Sequence, residues 1–238
     1  MRYTIRTGTV TVSSPSRTST MTSESPSPSA EERLRAEGFR RVAGADEAGR
    51  GCLAGPVVAA AVALPPGPLP SALAGVADSK TLSRERRETL ADTIREETSR
   101  HEAAGVGVGR CSPSEIDEIN ILRAALEAMR RATEALAEPL SGPPGFLLVD
   151  GNKAPVDLPC PCRAVVKGDQ RVRSIAAASI IAKITRDATM RRLHEEHAGY
   201  GWDTNVGYPT AEHYDGLAER GPTAHHRRSF RLKRKTGE

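Results

Sequence analysis

Four acidic side chains are the first residues in this sequence that could do chemistry. Asp46 and Glu47 are adjacent in RVAGADEAGRG, Asp150 closes FLLVD and Asp169 closes VVKGD. Each follows a run of small or branched apolar residues that reads as a β-strand ending in acid. If those strands lie side by side, their carboxylates converge. Like charges within a few ångströms repel and favour protonation unless a cation intervenes. Mg2+ and Mn2+ take oxygen ligands. Two such ions, about 3.5–4 Å apart, can activate a water and stabilise a leaving oxygen in phosphoryl transfer. Taken singly, each acid has a plainer reading. Asp150 before Gly151 and Asn152 suits a turn, and Asp169 could cap the helix that begins near Val172. Asp46 beside Glu47 is harder to explain that way, because neighbours on a strand point to opposite faces. Both reach one site only if the chain twists or bulges there, and Gly49 and Gly51 permit such a turn.

The elements that must position these acids alternate in type. Residues 31–39 read as a short helix, 39–47 and 55–64 as strands, and 65–75 as a Pro-rich loop. A charged helical pattern over 82–100 precedes a third strand at 103–110, whose glycines weaken the pattern. Residues 112–138 predict one long helix, capped by Ser112 or Ser114, with Ile116, Ile119, Leu122, Leu126 and Met129 forming its apolar stripe. Strands at 145–151 and 163–169 follow, then a long helix over 174–197 with a small-residue first half. Beyond Gly199 the chain reads as loop and short helix ending in a basic run. Strands, helix, two strands and helix predict a mixed α/β layer.

Composition narrows the class. The 238 residues suit one catalytic domain, 31–238, with a C-terminal helical and basic segment from about 199. Residues 1–30 are Ser/Thr/Pro-rich and too polar to offset chain entropy, so disorder is expected there; Met21 is an alternative start. Aromatics are 3% of the chain, so Ala, Val, Ile and Leu must build the core. The net charge of +4 is mild, and its placement matters more than its size. The spacing of Cys52, Cys111, Cys160 and Cys162 fits no disulfide framework, and Cys160-Pro-Cys162 lacks partners for a zinc site. Free thiols in a reducing cytoplasm are expected. No apolar run is long enough for a membrane span, no signal peptide is evident, and no apolar stripe suggests more than a monomer.

DEAGRG with GPVVAAAV behind it resembles the signature of the ribonuclease HII family. The resemblance continues through DSKTLS at 78–83, IDEINILRA at 116–124, LLVDGN at 147–152 and VVKGDQRVRSIAAASIIAKITRD at 165–187. It extends to GYPT at 207–210 and HHRRSF at 225–230, covering roughly residues 40–230. It implies a ribonuclease H-like mixed sheet flanked by helices, with a helical C-terminal extension. It implies Asp46, Glu47, Asp150 and Asp169 as catalytic, metal-holding carboxylates, with Mn2+ or Mg2+ as cofactor. The implied substrates are RNA/DNA hybrids and duplex DNA containing single ribonucleotides, cut on the 5′ side to leave 5′-phosphate and 3′-hydroxyl ends.

The same resemblance assigns Gly49, Arg50 and Gly51 to reading the ribose, whose 2′-hydroxyl distinguishes RNA from DNA. It assigns Tyr208 to stacking on the neighbouring sugar; the alternative is an aromatic that anchors its loop. Lys80 and Lys167 are phosphate contacts or plain surface lysines. Ser174 offers a hydroxyl or helix N-terminal amides to phosphate, while Ser179 is expected to pack. Asp187 is expected to pair with Arg191 four residues on, and His225 and His226 to face phosphate or serve structure. The basic tail at 227–235 either follows a nucleic-acid backbone or is solvated. Two rivals stand beside this reading: another nuclease of the same fold class, blind to a single ribonucleotide, and a non-catalytic nucleic-acid binder.

Overall fold

The computed structural model describes residues 29–78 and 83–233. The extension up to residue 28, Lys80 and the last basic residues from 234 lie outside the described residues. Five strands form one sheet: β1 (Val42–Ala48), β2 (Val57–Ala63), β3 (Gly105–Cys111), β4 (Phe146–Asp150) and β5 (Cys162–Val165), in the order β3-β2-β1-β4-β5. β1, β2 and β3 are antiparallel neighbours, whereas β4 and β5 run parallel to β1. The helices are α1 (Ala30–Ala36), α2 (Arg84–Ser99), α3 (Pro113–Ile119), α4 (Ile121–Leu136), α5 (Arg173–Glu196) and α6 (Ala211–Arg220).

Strand alternation sorts the core onto two faces. Ala43, Ala45, Ala59 and Ala61 meet Ala124, Ala128 and Ala132 of α4 on one face. Ala60 and Val62 meet Ala176, Ala177, Ile180 and Ile181 of α5 on the other. With so few aromatics, close approach of alanine surfaces replaces bulk. Truncating a buried branched residue such as Ile181 to Ala costs about 2–5 kcal/mol, and enlarging one of these alanines costs about 1–3 kcal/mol through overpacking.

Three expectations are corrected. The helix expected over 112–138 is two, because Asn120 adopts φ +67 and its side chain accepts from the amides of Leu122 and Arg123, starting α4 afresh. Ser112 caps only the first, through a reciprocal capping box with Glu115. The core stripe of α4 is Ala124, Ala125, Ala128, Met129, Ala132 and Leu136, so Leu122 and Leu126 lie at its margin. Part of the expected Pro-rich loop is a 3-10 helix, Ser71–Asp78, whose Leu73 and Val76 are buried. No described helix is long and apolar enough to cross a membrane.

Candidate active site

β1 brings the first two acids to the middle of the sheet. Its ladder with β4 stops at Ala45–Val149, while its ladder with β2 continues unbroken through Asp46, Glu47 and Ala48. No bulge intervenes; β1 instead parts from β4 just where Asp46 begins. The cleft so opened lies at the carboxyl ends of the parallel strands, the usual place for a ligand in an open α/β sheet. Asp150, the last residue of β4, stands on its other side. Asp169 lies four residues past the end of β5, in the 3-10 turn Gly168–Gln170, rather than closing the strand. Asp150 Oδ1 holds that turn by accepting from the amides of Gly168 at 2.6 Å and Asp169 at 3.3 Å. Lys167 enters the turn in the left-handed conformation, φ +54, and is exposed. The N-cap position of α5 is Val172, which makes no side-chain cap bond.

The cleft disfavours its own charges. Burial first, then Glu47 and Asp150, hold the Asp46 carboxyl well above the usual range, against hydrogen bonds from the Glu47 amide and Ser179. Burial also raises Glu47; Arg50, bonded to it at 3.1 Å, partly offsets this, and Asp150 adds to it. Oxygen-only donors in a cleft where burial, with neighbouring carboxylates, disfavours the charge of Asp46 and Glu47 suit a hard divalent cation.

Beside the acids is a depression lined by Glu47, Gly49, Arg50, Gly51, Ser179, Lys183 and Tyr208. Its two glycines have different reasons to be glycine. Gly49 adopts φ +98, and a Cβ there would lie 2.0 Å from Arg186 Nε, so the fold itself requires it. Gly51 has no positive φ, and a Cβ would meet only the Tyr208 ring at 3.9 Å. Nothing internal demands a bare backbone at Gly51. Tyr208 is 42% exposed, so it does not anchor its loop by burial. Cys52 lies close to it, and Lys183 Nζ stands 5.8 Å from its ring centre.

Two buried arginines fasten the loops that carry these groups. Arg186 donates to the carbonyls of Pro56, Val206 and Ala54. Val206 has φ +43, a strained value for a β-branched residue, and the Arg186 bond to its carbonyl helps hold it there. Arg227 donates to the carbonyls of Gly55 and Arg50. Behind Tyr208, hydrogen bonding assigns neutral tautomers to two histidines. His213 Nδ1–H donates to the Tyr208 carbonyl, and its Nε2 accepts from Trp202 and from His226 Nε2–H. His226 Nδ1 accepts from the Thr223 amide.

Several expectations change here. Ser174 is fully buried, and its amide and hydroxyl both donate to Glu31 Oε1 of α1, so neither is available to a phosphate. Ser179, expected to pack, is the serine five residues further on that faces the cleft. Asp187 pairs with Lys183 at 2.9 Å rather than with Arg191, which binds Glu88 of α2. His226 is buried and serves structure, one of its two expected roles; Arg227 is buried too, whereas Arg228, Arg231 and Lys233 stay exposed. Sequence reasoning does not pick out Lys183, Arg186 or Cys52 for the site; for Lys183 the i, i+4 spacing from Ser179 along α5 is a local signal.

The family model for Ribonuclease HII matches residues 43–233. A relative named ribonuclease HII from Salinibacter ruber is 56% identical over 207 residues, 86% of this chain and 98% of its own length. Among solved structures, ribonuclease H2 from Pyrococcus horikoshii superposes with a TM-score of 0.64 at 27% identity, over 80% of this chain and 94% of that one. The ribonuclease HII of Archaeoglobus fulgidus, solved in a complex with PCNA, gives 0.62 at 30% identity, over 82% of this chain and 98% of that one.

Proposed function

From the premise that this chain belongs to the ribonuclease HII family, endonucleases that hydrolyse RNA in RNA/DNA hybrids, we propose that it also cuts duplex DNA 5′ of a single embedded ribonucleotide. The products carry 5′-phosphate and 3′-hydroxyl ends. Asp46, Glu47, Asp150 and Asp169 are the catalytic carboxylates and hold two divalent ions, Mn2+ or Mg2+. Bound there, the ions supply compensation for the clustered charge and a water of lowered pKa. Asp150 orders the Asp169 turn through the amide bonds at its Oδ1.

The observation that carries the single-ribonucleotide reading is the bare backbone of Gly51 facing the exposed Tyr208 ring beside the acids. A 2′-hydroxyl can approach that backbone where any side chain would stand in its way, and the aromatic face suits an adjacent sugar. Gly49 contributes its turn, and Arg50, 52% exposed at its side chain, reaches a phosphate from its bond with Glu47. In this reading Lys183, Lys167 and the exposed basic residues of the C-terminal segment contact the phosphate backbone. The same reading makes the enzyme a cytoplasmic monomer that starts removal of ribonucleotides from DNA; α1, capped by Ser29 and starting at Ala30, belongs to the catalytic domain.

The test compares wild type and Asp150→Asn on a long hybrid and on a duplex with one ribonucleotide. Wild type should cut both; the variant should bind both with little change and cut neither. Wild type that cuts only the hybrid would favour the rival nuclease of the same fold.

A further inference from the structure

Among the described residues, one set of three metal-ligating side chains has its ligand atoms close together, and it lies outside the carboxylate cleft. Glu196 ends α5, His197 follows it, and His225 comes from the C-terminal segment; their ligand atoms all lie within 4.8 Å of one another. The two imidazoles have ring centres 5.0 Å apart. Both meet the buried indole of Trp202 edge-on, at 6.3 and 6.4 Å, so one rigid aromatic wall backs them.

We propose that Glu196, His197 and His225 form a zinc site, separate from the catalytic cleft, that ties the end of α5 to the segment supporting the substrate loop. Two imidazoles and one carboxylate are a borderline-soft donor set, favouring Zn2+ over Mg2+ or Mn2+. Bond lengths of about 2.0–2.1 Å put tetrahedral ligands roughly 3.4 Å apart. Glu196, exposed at the helix end, can swing in to close that distance, with water as the fourth ligand. The consequence follows from what the segment holds. The His225 carbonyl accepts from the Gly55 amide, and Arg227, two residues on, donates to the Arg50 carbonyl. A metal at His225 therefore braces, from behind, the loop that carries Gly49, Arg50 and Gly51.

The experiment titrates Zn2+ against a chromophoric chelator in excess Mg2+, which occupies the hard oxygen sites, and records thermal melting with and without Zn2+. Wild type should take up one zinc per chain and melt higher with it. His197→Ala and His225→Ala should each weaken binding at least about tenfold, the scale on which even a ligand's supporting contacts matter, and lose the melting shift. Glu196→Gln, at an exposed helix end, leaves the fold unaffected and should weaken binding in the same direction. Zinc uptake unchanged in all three variants, or no uptake by wild type, would overturn the proposal. Either result leaves the catalytic reading untouched, because neither His197 nor His225 lines the cleft.

Discussion

Replacing Gly51 with Ala separates recognition from folding. The added methyl would lie 3.9 Å from the Tyr208 ring, an ordinary van der Waals contact, and Gly51 is not in the left-handed region. Stability should therefore change by no more than about 0.5 kcal/mol, or rise slightly as the unfolded chain loses freedom. The methyl does fill the approach to the backbone where a ribose is proposed to sit. A displacement of the reacting bond by about 1 Å costs on the order of 100-fold in rate, equivalent to about 2.7 kcal/mol of transition-state stabilisation. The assay is steady-state cleavage of a single-ribonucleotide duplex, with chemical denaturation of the same sample. Gly49→Ala is the contrast: its Cβ would sit 2.0 Å from Arg186 Nε, which three carbonyls pin in place. That variant should lose stability and activity together. A Gly51→Ala enzyme cutting at the wild-type rate would refute the assignment of this backbone to the ribose; so would one whose lost activity merely tracks lost stability.

The raised Asp46 carboxyl carries a stability signature. Its protonated form is favoured in the fold, so that contribution is fully present below the ordinary Asp value and is lost as pH rises through the raised one. In chelator, the metal-free protein should thus gain stability on mild acidification, and Asp46→Asn should raise its neutral-pH melting temperature while abolishing turnover; a lower melting temperature would contradict the account. His226 behaves oppositely. Burial first, with neighbouring histidines, pushes it down to about 4, so its stability is present above the ordinary histidine value and is lost as pH falls from about 6.5 towards about 4. That loss should reach on the order of 2–3 kcal/mol at most, measurable by urea titrations across the window and absent in His226→Gln. Arg186→Met leaves three carbonyls without their donor at a buried site. It should cost at least about 3 kcal/mol, and limited proteolysis should cut first near residues 49–56 or 205–208.

Much of this architecture is legible in the sequence because apolar runs and their terminal acids are local signals. β1, β2, β4 and α5 follow from them, and so does the order in which Asp46, Glu47, Asp150 and Asp169 occur. What fails is non-local. Asn120 interrupts a helical pattern that is sound on both sides, because one residue in the left-handed region can restart a helix that periodicity reads as continuous. Gly107 and Gly109 weaken β3 as a pattern, yet they are what lets α4 lie against it: a Cβ at either would come within 2.2 Å of a carbonyl of Ala132 or Ala128. Ser174 and Ser179 look alike in a small-residue helix; Glu31, 143 residues away from the former, decides which one is taken. Arg186 and Arg227 look like surface charge until the loop carbonyls around them are known. Strand order is enough to place Asp46, Glu47 and Asp150, whereas the 3-10 turn that carries Asp169 past β5 and the supports of Gly51 and Tyr208 needed the tertiary structure.

The most direct measurement maps the ends left on a DNA duplex carrying one ribonucleotide, incubated with wild type in Mn2+ or Mg2+. The account predicts one incision 5′ of the ribonucleotide, giving a 3′-hydroxyl on one fragment and a 5′-phosphate on the other, and none with Asp150→Asn. No incision with either ion, or incision that ignores the position of the ribonucleotide, would contradict it.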